Sequence, residues 1–135
     1  MNILDSSVYL AFLYQEPGGE FLNKLSQQCQ EKGESIFMHQ INFMEVIYKV
    51  KTKVPGFDVQ ALLAEFSSPW WSKINYLDSD LMLIAVDLKA KFQRASLADC
   101  IGLACTKTFK GTFWTADQLL SDIGNKENIP VNLIR

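Results

Sequence analysis

Apolar and polar residues along the chain fall into two repeating spacings, one of strands and one of helices. Ile3-Leu4 is the core of a short buried strand. Ser6 to Tyr14 then predicts a helix that stops near Pro17-Gly18-Gly19, and Glu20 to Lys32 a second helix ended by Gly33. Ser35 to Met38 predicts a strand, and Ile41 to Lys53 a helix broken by Pro55-Gly56. From Phe57 to Phe66, Val59, Leu62, Leu63 and Phe66 recur at helical spacing. Ile74 to Leu77 predicts a third strand. Leu81, Ile84, Ala85, Leu88 and Phe92 then line one stripe of a helix. Ser96 to Phe109 predicts another helix, Thr112 to Thr115 a strand, Gln118 to Asp122 a short helix and Val131 to Ile134 the last strand.

Five strands thus alternate with about seven helices, and each connection is long enough for a crossover. That pattern predicts an α/β fold with a mostly parallel sheet covered on both faces. A length of 135 residues suits a single domain spanning 1–135, large enough to bury a core.

Composition narrows the chemistry. No apolar run reaches the ~20 residues needed to cross a bilayer. Asp5 interrupts the opening apolar run and no basic segment precedes it, which argues against a signal peptide and for a cytoplasmic protein with no membrane partner. Cys29, Cys100 and Cys105 form no C-x-x-C pair, and His39 is the sole histidine, so a structural zinc site lacks ligands. The cysteines are expected to be reduced packing residues. Net charge is −2, so a strongly basic nucleic-acid footprint is absent. Any such substrate needs a local patch: Lys49, Lys51 and Lys53 form one candidate, and Lys89, Lys91 and Arg94 another. Both also read as ordinary solvated helix faces.

Four acids stand out by position. Asp5 ends the first strand, Asp99 follows Ser96-Leu97-Ala98 at a helix start, and Asp117 follows the strand Thr112 to Thr115. In a parallel α/β fold these places share the carboxyl edge of the sheet. Glu45 lies inside a helix, where Asn42, Glu45 and Lys49 form one polar strip on an otherwise apolar surface. Each acid also has a plain structural reading. Asp5 and Asp117 can cap helices. Ser96 and Asp99 have capping-box spacing. Glu45 and Lys49 make an i,i+4 pair worth only ~0.3–0.5 kcal/mol on a surface. Together, however, gathered carboxylates are costly unless a cation joins them. Mg²⁺ and Mn²⁺ prefer such oxygen donors, which points to metal-dependent phosphoryl transfer.

The sequence resembles the PIN-domain ribonucleases, and within them the toxins of VapBC-type toxin–antitoxin pairs. The resemblance is carried by Ile3-Leu4-Asp5-Ser6-Ser7 with Tyr9-Leu10-Ala11 and Glu16-Pro17-Gly18, and by Glu45 in a helix after the second strand. It continues through Ser96-Leu97-Ala98-Asp99-Cys100-Ile101-Gly102-Leu103-Ala104 and Trp114-Thr115-Ala116-Asp117 with Leu119-Leu120. It implies a PIN-like three-layer α/β/α fold. It also implies a Mg²⁺- or Mn²⁺-dependent endoribonuclease with a four-acid catalytic pocket: Asp5 and Asp99 as principal metal ligands, and Glu45 and Asp117 completing the pocket by holding metal-bound water or a second ion. Ser6 and Thr115 match positions where a small hydroxyl residue lies near the site and positions substrate or water. Such a toxin is expected to act on RNA, to be held by a protein antitoxin and to form a homodimer. Ser6 stands where the family more often has threonine.

Two other readings compete. A receiver-type signalling module would use Asp78 as phosphate acceptor and Thr115 as switch hydroxyl, but Asp5 has no acidic neighbour and no lysine ends the last strand before Arg135. A catalytically silent binding fold has little support with all four acids present. Trp70-Trp71 after Pro69 is a possible base-stacking platform, though such pairs more often pack over a loop or fill an interface. His39 reads as a helix-start residue rather than an acid or base.

Overall fold

The alternation in sequence becomes a five-stranded sheet in a computed structural model describing residues 1–135. The strands are β1 (Asn2–Leu4), β2 (Ile36–His39), β3 (Trp71–Ile74), β4 (Thr112–Thr115) and β5 (Val131–Leu133). Their order is β3-β2-β1-β4-β5, and every neighbouring pair is parallel. Successive strand residues point to opposite faces. Accordingly Ile3, Phe37 and Phe113 join one core, and Leu4, Ile36, Met38 and Trp114 the other.

Seven helices cover the two faces. The Leu4 side is packed by α1 (Ser6–Leu13), α2 (Phe21–Lys32), α3 (Gln40–Lys53) and α4 (Val59–Phe66). The Ile3 side is packed by α5 (Ser79–Lys91), α6 (Leu97–Phe109) and α7 (Gln118–Glu127). The result is the α/β/α arrangement expected, with the sheet parallel throughout. Cys29, Cys100 and Cys105 are free and buried. No helix is long and apolar enough to cross a membrane.

Two elements differ from the sequence reading. The third strand was expected at Ile74 to Leu77 but occupies Trp71–Ile74. The Trp71 ring packs edge-on against Tyr9, Phe43 and Phe66, with centroids 5.8, 5.7 and 5.5 Å away, and this aromatic cluster draws the earlier residues into the sheet. Tyr76 and Leu77, apolar in pattern, are left exposed. Trp71 is thus half-buried against the core, while its neighbour Trp70 is exposed. The last helix runs to Glu127 rather than ending at Asp122, with Gly124 buried inside it. A Cβ there would sit 2.4 Å from Val131 Cγ2, so the glycine admits β5 against the helix.

Strand order places the candidate site. The chain leaves β1 to one side, forms β2 and β3, and later returns to place β4 on the other side of β1. The carboxyl ends of β1 and β4 therefore flank the point where connections diverge, the usual place for a ligand crevice in open α/β sheets.

Candidate active site

Asp5 is the first residue beyond β1, and its backbone N–H donates to Trp114 O at 2.9 Å, continuing the pairing with β4. That pairing sets Asp5 level with Thr115. Asp5 occupies the N-cap position of α1, yet its side chain makes no capping bond. The capping reading of Asp5 therefore does not describe its carboxylate. It turns inward, only 3% exposed. Oδ2 accepts from Ser7 Oγ at 2.5 Å and from Thr115 Oγ1 at 2.9 Å. Oδ1 has longer contacts, at 3.4 Å, with Ser6 Oγ and Asn42 Nδ2.

The other three acids approach from separate elements. Glu45, on α3, accepts from Ser6 Oγ at 2.6 Å and pairs with Lys49 at 3.0 Å. Asp99 opens α6 in the capping box anticipated from sequence: Ser96 N–H donates to Asp99 Oδ2 at 2.9 Å, and Asp99 N–H to Ser96 Oγ at 3.1 Å. Gly102 lets α6 lie close on the sheet, since a Cβ would come 2.8 Å from the Phe113 ring. Asp117 caps α7 through Leu119 N–H at 2.9 Å, and its own N–H donates to Thr115 Oγ1 at 3.0 Å.

Electrostatics tie the four together. Burial pushes the Asp5 carboxyl up to about 6; the charges of Asp99 and Glu45 add to this, against the lowering effect of the Ser7 and Thr115 hydrogen bonds. Asp99 is also raised, first by burial and then by Glu45 and Asp117, with the Ser96 bonds opposing. Asp5 and Asp99 therefore both feel neighbouring acids. The side chains do not form a ready cage, because no three Asp, Glu, His or Cys groups converge closely enough to hold an ion as they stand. Asp99, Asp117 and Glu45 each turn instead to a local donor, as mutually repelling carboxylates should.

Two residues at the site were not among the sequence candidates. Ser7 links Asp5 to the β4 edge, accepting from Ala116 N–H at 2.9 Å. Asn42 is fully buried beneath Asp5, and its Oδ1 has no hydrogen-bond partner. An amide in the middle of an apolar helix was the available signal. Ser6 and Thr115 are both buried and direct their hydroxyls to carboxylates.

The donor set fits a hard divalent cation in chemistry. It is entirely oxygen, it contains one carboxyl driven towards neutrality first by burial and then by the charges of Asp99 and Glu45, and a buried amide oxygen beside it lacks a partner. Zinc-type soft ligands are absent from it. Asp78 lies outside this group. It caps α5 through Leu81 N–H at 2.9 Å and accepts from the Tyr76 hydroxyl. The strand order also differs from the 2-1-3-4-5 order of receiver-type folds. His39 caps α3, with Nδ1 accepting from Ile41 N–H at 3.1 Å and Nε2 bonded to Tyr76 O at 3.0 Å.

No curated protein sequence matches the chain. Similar solved structures include VapBC2 from Rickettsia felis bound to a promoter DNA fragment, with TM-score 0.72, 15% identity, and coverage of 98% of this chain and 97% of that one. DNA-bound VapBC from Salmonella typhimurium has TM-score 0.71 and 13% identity, covering 99% and 98%. A toxin–antitoxin complex from Klebsiella pneumoniae has TM-score 0.59 and 17% identity, covering 87% of each chain. At these identities the likeness is one of fold. The sequence itself goes further: residues 3–126 match the PIN domain, and the chain belongs to the PIN-domain family of nucleases.

Proposed function

We propose that this protein is a Mg²⁺- or Mn²⁺-dependent endoribonuclease and the toxin of a VapBC-type toxin–antitoxin pair. The reading is carried by the buried Asp5 after β1, whose carboxyl, like that of Asp99, is raised first by burial and then by the charges of the other acids, Glu45 acting on both, Asp99 on Asp5 and Asp117 on Asp99.

Asp5, Asp99 and Asp117 would hold the cation. When bound, it supplies hydroxide at neutral pH and stabilises charge developing on the phosphate. Glu45 and Asp117 orient the attacking water towards the phosphorus, in line with the leaving oxygen. Ser6 fixes Glu45 relative to Asp5, and Thr115 fixes Asp5 relative to the Asp117 backbone, so both hydroxyls position the acids that do the chemistry. Asn42 supports Asp5 from below.

The toxin assignment draws on the fold shared with a structure described as a toxin–antitoxin complex. An apolar face of Leu77, Met82, Val86 and Leu97, each more than 40% exposed, supports a protein contact for α5 and α6, with a second copy in a homodimer or with an antitoxin.

The test is cleavage of a structured RNA by the purified protein with Mn²⁺. EDTA should abolish cleavage, and Asp5→Asn or Asp99→Asn should lower the rate by orders of magnitude. Undiminished cleavage in both variants would end the metal-pocket reading.

A further inference from the structure

A cleft of about 520 Å³ adjoins the Asp5 and Glu45 side of the site, lined in part by Ser7, Tyr14, Lys49, Lys53 and Arg135. Ser7 belongs to both places, since its Oγ bonds Asp5. The two are also joined along α3. Asn42, Glu45, Lys49 and Lys53 follow at three- and four-residue steps and form one strip on the helix. The strip leads away from the carboxylates for about 12 Å between Glu45 and Lys53. It changes from acidic to basic along that length.

The cleft inverts the charge of the chain. The protein carries −2 overall, yet Lys49, Lys53 and Arg135 face only one acid among the cleft's lining residues, Glu16, and Lys49 also pairs with Glu45 at the cleft's inner end. Arg135 pairs with Glu16 at 3.3 Å and also donates to Pro17 O. Lys53 has no carboxylate partner, and its Nζ lies 4.6 Å above the Tyr14 ring. The Tyr14 hydroxyl is shielded from solvent and has no hydrogen-bond partner. The other basic cluster offers nothing comparable: Lys89 donates to the Gln93 and Ala95 carbonyls, and Lys91 pairs with Glu127.

We propose that this cleft is the track for the substrate's phosphodiester backbone. Lys49, Lys53 and Arg135 contact successive phosphates. The proposal rests on the nuclease reading above and identifies how an acidic protein grips a polyanion. Phosphate contacts of this kind position a strand without reading its bases.

The test is binding of a fluorescently labelled single-stranded RNA in EDTA, followed by anisotropy over a range of KCl concentrations. The wild type is compared with Lys53→Gln, Arg135→Gln and the control Lys24→Gln, which makes the same charge change on the exposed surface of α2. Each cleft variant should bind roughly fivefold more weakly near 0.1 M salt, with a salt slope smaller by about 0.7 per lost contact. Lys24→Gln should match the wild type. Equal affinity and slope in all four proteins would overturn the track. So would an oligoglutamate of equal charge competing as well as RNA. The same preparations are assayed for RNA cleavage with Mn²⁺. A cleaving wild type whose cleft variants bind normally refutes the track alone. Weakened binding in the variants with no cleavage by the wild type refutes the nuclease reading alone.

Discussion

Thr115 donates to Asp5 across the seam between β4 and β1, its Oγ1 lying 2.9 Å from Asp5 Oδ2. The same oxygen accepts from Asp117 N–H at 3.0 Å. One buried hydroxyl thus joins the carboxylate after the first strand to the backbone of the acid after the fourth. The parallel register that pairs Leu4 with Trp114 makes this contact possible.

Replacing Thr115 by valine keeps the shape and removes both bonds. Asp117 N–H loses its partner, and Asp5 loses a bond that favours its charged form. We expect a stability loss of about 1–3 kcal/mol and an acid limb of the pH–rate profile displaced to higher pH. Thr115→Ser should retain both properties. Urea denaturation and a pH–rate series check this, and a valine variant indistinguishable from wild type would show the contact to be idle.

Asp5 also makes the metal-free protein pH-sensitive. Its carboxyl stands at about 6 in the fold against an ordinary 3.8, so the folded state binds the proton more tightly than the unfolded chain. The stabilising contribution is complete below about 3.8 and is lost as pH rises through about 6, up to about 3 kcal/mol in all. The raised Asp99 acts in the same direction. Asp5→Asn should flatten this component and leave the metal-free protein more stable than wild type at neutral pH. Denaturation of both proteins in EDTA at pH 4.5 and 7.5 gives the comparison. Parallel pH dependences would contradict the account.

His39 separates structure from chemistry at the other end of α3. Burial pushes its imidazole below the ordinary 6.5, with the Tyr76 carbonyl opposing. The neutral ring accepts from Ile41 N–H at Nδ1, which leaves Nε2–H to donate to Tyr76 O. This stabilising contribution is present above about 6.5 and is lost as pH falls through the lowered folded value. His39→Ala should cost about 1 kcal/mol as a lost cap and leave cleavage per folded molecule unchanged. A large fall in rate at full folding would give the ring a catalytic role.

Much of this was legible in the chain because strand ends carry their own signals. Ile3-Leu4 before Asp5, and Thr112 to Thr115 before Asp117, mark both the strands and the edge where they finish. The capping box at Ser96 and Asp99 was equally readable, since it depends on local spacing. What escaped depends on contacts between distant segments. Trp71 enters β3 through rings of α1, α3 and α4, which no local pattern reports. Gly124 reads as a helix stop until β5 is packed against it. Ser7 looked like an ordinary early helix residue. Its bonds reach Ala116 and Thr115, more than a hundred residues away in sequence. Asn42 stood out as polar on an apolar helix, but only the fold sets it beneath Asp5.

Titration of metal-stripped protein with Mn²⁺, followed by loss of the free-ion paramagnetic resonance signal, tests the shared-cation site most directly. The wild type should take up the ion, more tightly at pH 7.5 than at pH 5.5 because the Asp5 proton must leave, while Asp5→Asn and Asp99→Asn should bind far more weakly. Uptake of equal strength in all three proteins would contradict the account.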